Sequence, residues 1–218
     1  MIPVISFIGS SGSGKTGVLE KVVAELKRRS IRVAVIKHSH HDAFEFDKEG
    51  KDSQRYNAAG AEIVVVSGPR ELTLMQKTGR DMSIDEITRL IDPDIDLILT
   101  EGFKNAATPK IEVHRKAVET ELLAEPEHLL AVITDEPLEV QVPQLNLAEN
   151  NTGALADLIE KWLSDQPEKE IVLFVNKKPV LLNPFVRDFM MKTLKGMFSS
   201  LKGVDRIKSF QIFSRDKS

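Results

Sequence analysis

The chain reads as an α/β protein: a mostly parallel sheet with helices on both faces, followed by a small C-terminal α+β unit. Three features of its 218 residues predict this. Short β-branched runs alternate with helical periods, the pattern of a covered parallel sheet. A glycine-rich turn at residues 9–16 sits between the first apolar run and the first amphipathic period. A polar, proline-containing break near residue 167 separates a stretch of different pattern.

The first strand is expected at residues 3–8. The helix after it carries Val18, Leu19, Val22, Val23 and Leu26 on one face. A second strand at 32–36 leads into a loop rich in His and Asp. Asp52 or Ser53 can cap a short helix that Gly60 stops. Strands follow at 62–66 and 71–76, joined through Gly68-Pro69, and Ser83 with Glu86 has capping-box spacing for a helix through residue 91. Buried strands are expected at 95–100, 110–114 and 129–134. The helix at 152–164 aligns Leu155, Leu158, Ile159 and Trp162, and closes a first domain spanning 1–165. Residues 165–170 form a linker. The remainder, 169–218, is a small ββαβ domain: strands at 171–175 and 180–182 around Asn176-Lys177-Lys178, a long helix containing Phe185, Phe189, Leu194, Phe198 and Leu201, and a strand at 207–213. It is too small to bury much by itself and is expected to dock on the first domain or on a partner.

Composition narrows the function. A net charge of −3 gives no global basic field, so neither nucleic acid nor an anionic membrane is an expected partner. The chain has no cysteine, which excludes disulfides, thiolate metal centres and cysteine nucleophiles, and fits a cytoplasmic protein. The apolar run at residues 1–7 lacks a basic flank and reads as a strand rather than a signal peptide. No apolar stretch approaches the roughly 20 residues of a membrane span, so a soluble protein is expected.

Gly9-Ser10-Ser11-Gly12-Ser13-Gly14-Lys15-Thr16 satisfies G-x-x-x-x-G-K-[ST] at every fixed position. The glycines let successive backbone amides turn inward toward phosphate oxygens. Lys15 adds a cation near the β- and γ-phosphates, and the helix N-terminus adds partial positive charge. Thr16 is placed to offer its hydroxyl to Mg²⁺. The context, a strand before and an amphipathic helix after, makes the fold P-loop NTPase-like.

An acid should reach the metal from a neighbouring strand. Asp96 and Glu101 compete. Ligands of open α/β sheets bind at the C-terminal strand ends, and Asp96 lies roughly 16 Å upstream at about 3.3 Å per residue, so Glu101 takes the role. It is a metal ligand or a positioner of water, unless it is simply a strand-end carboxylate. Asp135, at the end of strand 129–134, has a carboxylate suited to the N1–H and 2-amino group of guanine, although turn-forming Asp is common there. Asn176-Lys177-Lys178-Pro179 lacks the Asp of a guanine-reading motif and reads as a hairpin turn. Asp47 and Gly50 have the Asp-x-x-Gly spacing of a γ-phosphate-sensing switch. His38, His40 and His41 raise a metal question, but with only His114 and His128 elsewhere a solvated polar loop is the simpler reading.

Gly9 to Thr16, Lys37-His38-Ser39-His40-His41, Asp47-x-x-Gly50-Lys51-Asp52-Ser53, Ala59-Gly60-Ala61 and Glu101-Gly102-Phe103-Lys104, in that order, resemble the molybdopterin-guanine dinucleotide biosynthesis protein B (MobB) family over residues 1–165. Beyond the P-loop no single piece is specific; the series is. The resemblance implies a dimeric GTP-binding protein that assists the guanylyltransferase joining GMP to molybdopterin, with slow GTP hydrolysis at most. It implies Lys15 and Thr16 on phosphate and Mg²⁺, Asp47 and Glu101 around the metal as the catalytic acids, and Asp135 near the base. Lys37, His38 and Lys104 would line the same crevice, where the phosphate of molybdopterin is a further candidate ligand. The family's shorter members end near residue 165, so the C-terminal unit carries no implied role.

Three alternatives make different predictions. A small-molecule kinase usually brings clustered lid arginines, whereas Arg70, Arg80, Arg89 and Arg115 are scattered. A GTP-dependent metal-delivery protein would use His38, His40 and His41, against which the lack of cysteine weighs. A nucleotide-switched interaction module would place its work in the C-terminal unit.

Overall fold

The structure, a computed structural model, describes residues 2–39, 52–146, 151–166, 171, 173–175, 178–204, 207, 210 and 212. In chain order it contains β1 (Val4–Ile8), α1 (Lys15–Arg28), β2 (Val33–Lys37), α2 (Asp52–Ala58), β3 (Ile63–Ser67), β4 (Leu72–Gln76) and α3 (Ile84–Thr88). Then come β5 (Leu97–Glu101), β6 (Lys110–Val113), β7 (Leu129–Thr134), β8 (Gln144–Asn146), α4 (Thr152–Ser164), β9 (Leu173–Val175), β10 (Lys178–Val180) and α5 (Pro184–Ser199). They fall into two compact units: Met1–His38 with Ile91–Ser218, and Ser39–Leu90.

The larger unit is organised by six parallel strands in the order β2-β5-β1-β6-β7-β8. Side chains alternate across each strand, so the sheet has two chemically distinct faces. One face carries Ile5, Phe7, Leu97, Leu99, Ile111, Val113, Ala131 and Ile133, and packs against Leu19, Val22 and Leu26 of α1 and Leu155, Ala156 and Ile159 of α4. These two helices are amphipathic at the spacing the sequence predicts, and truncating a core leucine such as Leu26 should cost about 2–5 kcal/mol. Arg29 ties α1 to α4: its guanidinium donates to Glu25 at 2.8 Å, to Asp157 at 2.6 Å and to the Gly153 carbonyl at 3.1 Å, and also pairs with Glu160.

Buried polar residues occupy the other face: Ser6, Thr100, Lys110, Glu112, His114 and Thr134. Most are satisfied locally, as buried polar groups must be. Thr100 donates to Ser6 at 2.9 Å, and the Ser6 and Thr108 hydroxyls share a bond of 2.6 Å. Lys110 donates to the carbonyls of Ala106 and Thr108 at 2.7 and 3.0 Å. Glu112 accepts the amides of Leu123 and Ala124 at 2.7 and 3.1 Å. Burial pushes the Glu112 carboxyl above its ordinary range, against the pull of those two amides.

In the smaller unit β3 and β4 form an antiparallel ribbon, with Ile63 opposite Gln76 and Ser67 opposite Leu72. The capping box is present: the Glu86 amide donates to Ser83 Oγ at 3.3 Å and the Ser83 amide donates to Glu86 Oε2 at 3.0 Å. The helix it starts ends at Thr88, short of residue 91. The chain closes instead with a tightened turn, the Leu90 amide donating to the Ile87 carbonyl at 2.9 Å.

The C-terminal hairpin also differs in detail. Its second strand is Lys178–Val180 rather than 180–182, and Lys178 pairs with Val175, leaving a two-residue connection. Asn183 caps α5 by accepting the Val186 amide at 2.9 Å, with Pro184 at the first helical position. The strand expected at 207–213 falls largely outside the described residues, and Ile207, Phe210 and Ile212 are not in a strand. The short strand β8 has no counterpart in the sequence reading.

Candidate phosphate-binding site

The turn from β1 into α1 holds three glycines at positive φ: Gly9 at 144°, Gly12 at 79° and Gly14 at 95°. Gly9 is required twice over. A side chain there would run into the Val113 carbonyl of β6 and come within 2.8 Å of Ser13 Oγ. Gly14 starts α1 without a side-chain cap, and the first turn has no acidic residue, so its amides keep their partial positive charge for an anion. Ser13 Oγ is buried and has no hydrogen-bond partner among the described residues. Lys15 Nζ donates to the Ser10 carbonyl at 2.6 Å, and its partial burial lowers its pKa, Glu101 opposing and Lys37 reinforcing that shift. An orphaned buried hydroxyl, a compact lysine and a ring of glycine amides fit a phosphate chain.

Glu101 ends β5 directly beside β1, opposite Phe7. Thr16 Oγ1 donates to its Oε1 at 3.0 Å, and Lys37 Nζ stands 3.7 Å from the same oxygen. A hydroxyl and a carboxylate at the mouth of the turn are the oxygen donors a hard divalent cation takes, so the residues fit Mg²⁺. Asp47, His40 and His41 lie outside the described residues. Among the described residues, no group of three or more His, Cys, Asp or Glu is arranged to hold a metal ion.

His38 joins this wall. Its amide donates to the Glu101 carbonyl at 3.0 Å and its ring lies 4.8 Å from that of Phe103. Gly102, at φ 102°, would put a Cβ 3.1 Å from that of His38, so the close approach of the two strand ends needs glycine. Lys104 is exposed on the turn that follows.

At the ends of β7 and β8 an open cleft of about 270 Å³ is lined by Thr134, Asp135, Glu136, Pro137, Gln144, Leu145 and Asn146. Asp135 Oδ1 accepts the Lys116 amide at 2.9 Å, and its other oxygen lies 4.0 Å from Arg115 Nε. One oxygen of the base-reading candidate is therefore already in use within the chain. Glu136 accepts from Lys116 Nζ at 2.6 Å and stands 3.8 Å from Nε2 of the buried His114.

The structure adds a residue the sequence reading missed. Glu119, on the segment after β6, accepts the hydroxyl of Ser10 within the phosphate turn. Nothing near Glu119 in the sequence signals this; it follows from β6 lying next to β1. The buried charges on β6 did leave a trace, the strict alternation Lys110-Ile111-Glu112-Val113-His114.

A glycine-rich turn between a central parallel strand and its helix, with a lysine, a threonine and a strand-end carboxylate converging on it, defines the P-loop nucleotide-binding class. Residues 4–135 match the family MobB, described as Molybdopterin guanine dinucleotide synthesis protein B. The chain belongs to that family. It is 43% identical over 163 residues to the molybdopterin-guanine dinucleotide biosynthesis adapter protein of Haemophilus influenzae, covering 74% of this chain and 90% of that one. A Methanocaldococcus jannaschii relative, 30% identical over 233 aligned positions, covers 96% of both chains and so extends through α5. Among solved structures, Bacillus subtilis MobB aligns with a TM-score of 0.58 at 26% identity, over 76% of this chain and all of that one. Among the described residues, no helix is long and apolar enough to cross a membrane.

Proposed function

We propose that this chain is a GTP-binding adapter in molybdenum-cofactor biosynthesis that assists the guanylyltransferase making molybdopterin guanine dinucleotide. The observation that carries the reading is the convergence of Lys15, Thr16 and Glu101 on the glycine turn, in a chain of the MobB family. The triphosphate lies along residues 9–16 with Mg²⁺ at Thr16 and Glu101, and Asp135 reads the base; the family resemblance assigns Asp47 to the same ion. Lys37, His38 and Lys104 offer the same crevice to the phosphate of molybdopterin. Hydrolysis is slow at most, because the sequence offers no obvious arginine finger or catalytic Gln to act on the transferring phosphoryl group.

The protein works in the cytoplasm, with residues 1–165 as its nucleotide-binding domain and 169–218 as a separate small unit. It is a homodimer. A two-stranded ribbon is not stable by itself in water, and β3–β4 exposes Ile63, Val65, Leu72 and Leu74, which a second copy would cover.

Titration of the protein with GTP, ATP and GDP, each with and without Mg²⁺, tests the reading. GTP with Mg²⁺ should bind tightest. Lys15→Ala should weaken it about ten- to a hundredfold, the loss of a charge-assisted contact worth about 1.5–3 kcal/mol. Unchanged GTP affinity in that variant would remove the phosphates from the glycine turn.

A further inference from the structure

The C-terminal unit differs in charge from everything before it. Residues 171–218 hold ten Lys and Arg against three Asp and no Glu, whereas residues 1–170 hold twenty basic against thirty acidic residues. Within that basic unit, large apolar side chains just before and in the first turns of α5 are left exposed. Leu181 is 99% exposed, Phe185 77% and Phe189 61%, the two phenylalanine rings stacking at 6.4 Å. Lys192 and Lys195 are exposed on α5 and Lys202 is exposed just past its end; Lys192 pairs with Asp188, and Lys195 and Lys202 have no ion-pair partner among the described residues.

The complementary surface is on the same chain. The segment after β6, residues 117–127, contains Glu119, Glu121, Glu125 and Glu127 and no basic residue. Val118 and Leu123 are exposed among these carboxylates, and Glu121 and Glu125 have no ion-pair partner among the described residues. The segment is also held in place from beneath, by the bonds from the Leu123 and Ala124 amides to buried Glu112 and by the contact of Glu119 with Ser10. An anchored segment that exposes Val118 and Leu123 among glutamates complements exposed phenylalanines with lysines nearby, and anchoring lowers what docking costs in entropy.

We propose that α5 of one copy docks on residues 117–127 of a second copy, and reciprocally, closing a two-fold assembly. The contact does not depend on the ribbon contact suggested above. Because Glu119 bonds Ser10, the docked helix would sit one side chain away from the phosphate turn.

The absence of native cysteine allows a clean test. Full-length protein bearing Thr193→Cys is mixed with full-length protein bearing Glu121→Cys and treated with a short bis-maleimide, each variant being checked for an unchanged thermal midpoint. A mixed cross-linked dimer is expected, weakening at high salt. Adding Lys192→Glu and Lys195→Glu to the first partner should lower the yield about tenfold, the size expected when two exposed pairs become repulsive. Adding Glu125→Lys to the second partner should restore part of that loss. No mixed dimer, or one indifferent to the charge reversals, would overturn the proposal. So would an intrachain cross-link in a dilute chain carrying both cysteines, which would make the contact internal. Sedimentation of the parent with phosphatidylglycerol vesicles, lost in Phe185→Glu/Phe189→Glu, would assign the exposed phenylalanines to a lipid surface instead.

Discussion

Replacing Gly9 by alanine tests the geometry on which the site stands. The residue sits at φ 144°, and its missing side chain is what lets the turn rest against β6. An added Cβ meets the Val113 carbonyl inside hard-sphere contact and Ser13 Oγ at 2.8 Å. The serine can rotate away, but the carbonyl belongs to a central strand and cannot. Unfavourable backbone should cost about 1–2 kcal/mol and forced repacking about 1–3 kcal/mol, or about 2–4 kcal/mol once shared relaxation is allowed. For a chain of this size that is a fall in Tm of roughly 5–15 °C. Gly17→Ala is the matched control: it lies inside α1 with nothing within 4 Å of the added Cβ. Because Gly17 is only the third residue of the helix, propensity should make the variant more stable by at most about 0.8–1 kcal/mol. Thermal unfolding read by circular dichroism, with GTP binding by calorimetry, distinguishes the two. A Gly9→Ala protein with parental Tm and parental GTP affinity would mean that the turn does not rest on β6, and the description of the site would be wrong.

Three other outcomes follow from the same contacts. Glu101→Gln keeps the acceptor for Thr16 but removes the charge, so GTP binding should lose most of its Mg²⁺ dependence while Mg²⁺-free binding changes little; titration with and without the ion reads this. The raised pKa of Glu112 means that the folded state holds its proton more tightly than the unfolded chain does. Its favourable contribution is therefore complete below the ordinary glutamate pKa and is lost as pH rises through the higher folded value. Urea midpoints of the parent, compared with Glu112→Gln across that window, should show the parent losing ground and the variant staying flat; parallel curves would refute the burial argument. Asp135→Asn exchanges an acceptor for a donor, so GTP affinity should fall about tenfold or more and xanthosine triphosphate affinity should rise, measured by competition. An equal loss for both nucleotides would reduce Asp135 to the structural partner of the Lys116 amide.

What the sequence makes legible is whatever depends on local chemistry or on period. The P-loop can be read because every fixed position answers to a backbone requirement. Helices α1 and α4 can be read because each buries a single stripe, and the capping box because its two bonds are local. Strand β8 escapes because three residues are too few to show alternation. The early stop of α3 escapes as well, because Arg89, Leu90 and Ile91 carry no breaker and fit a helical period. Strand order is the deeper gap. Glu101 can be chosen over Asp96 from the strand-end rule alone, but the partnership of Glu119 with Ser10, 109 residues apart, depends on which strand neighbours β1. No periodicity encodes that.

The neighbour relation also explains why the acidic segment after β6 belongs to the site at all. Once Gly9 rests on the Val113 carbonyl, the chain leaving β6 has to pass the phosphate turn before it can return to β7. Three carboxylates from three places then fix its path. Glu112 holds the amides of Leu123 and Ala124 from beneath, Asp135 holds the Lys116 amide from the end of β7, and Glu119 reaches the Ser10 hydroxyl. Each joins a side-chain carboxyl oxygen to a backbone amide or hydroxyl donor of the segment or the turn, so the path is held at several points. The segment is thus tied to the glycine turn through Ser10 and to the end of β7 through Asp135. A ligand that drew on either residue would have to compete with a bond that holds this segment in place.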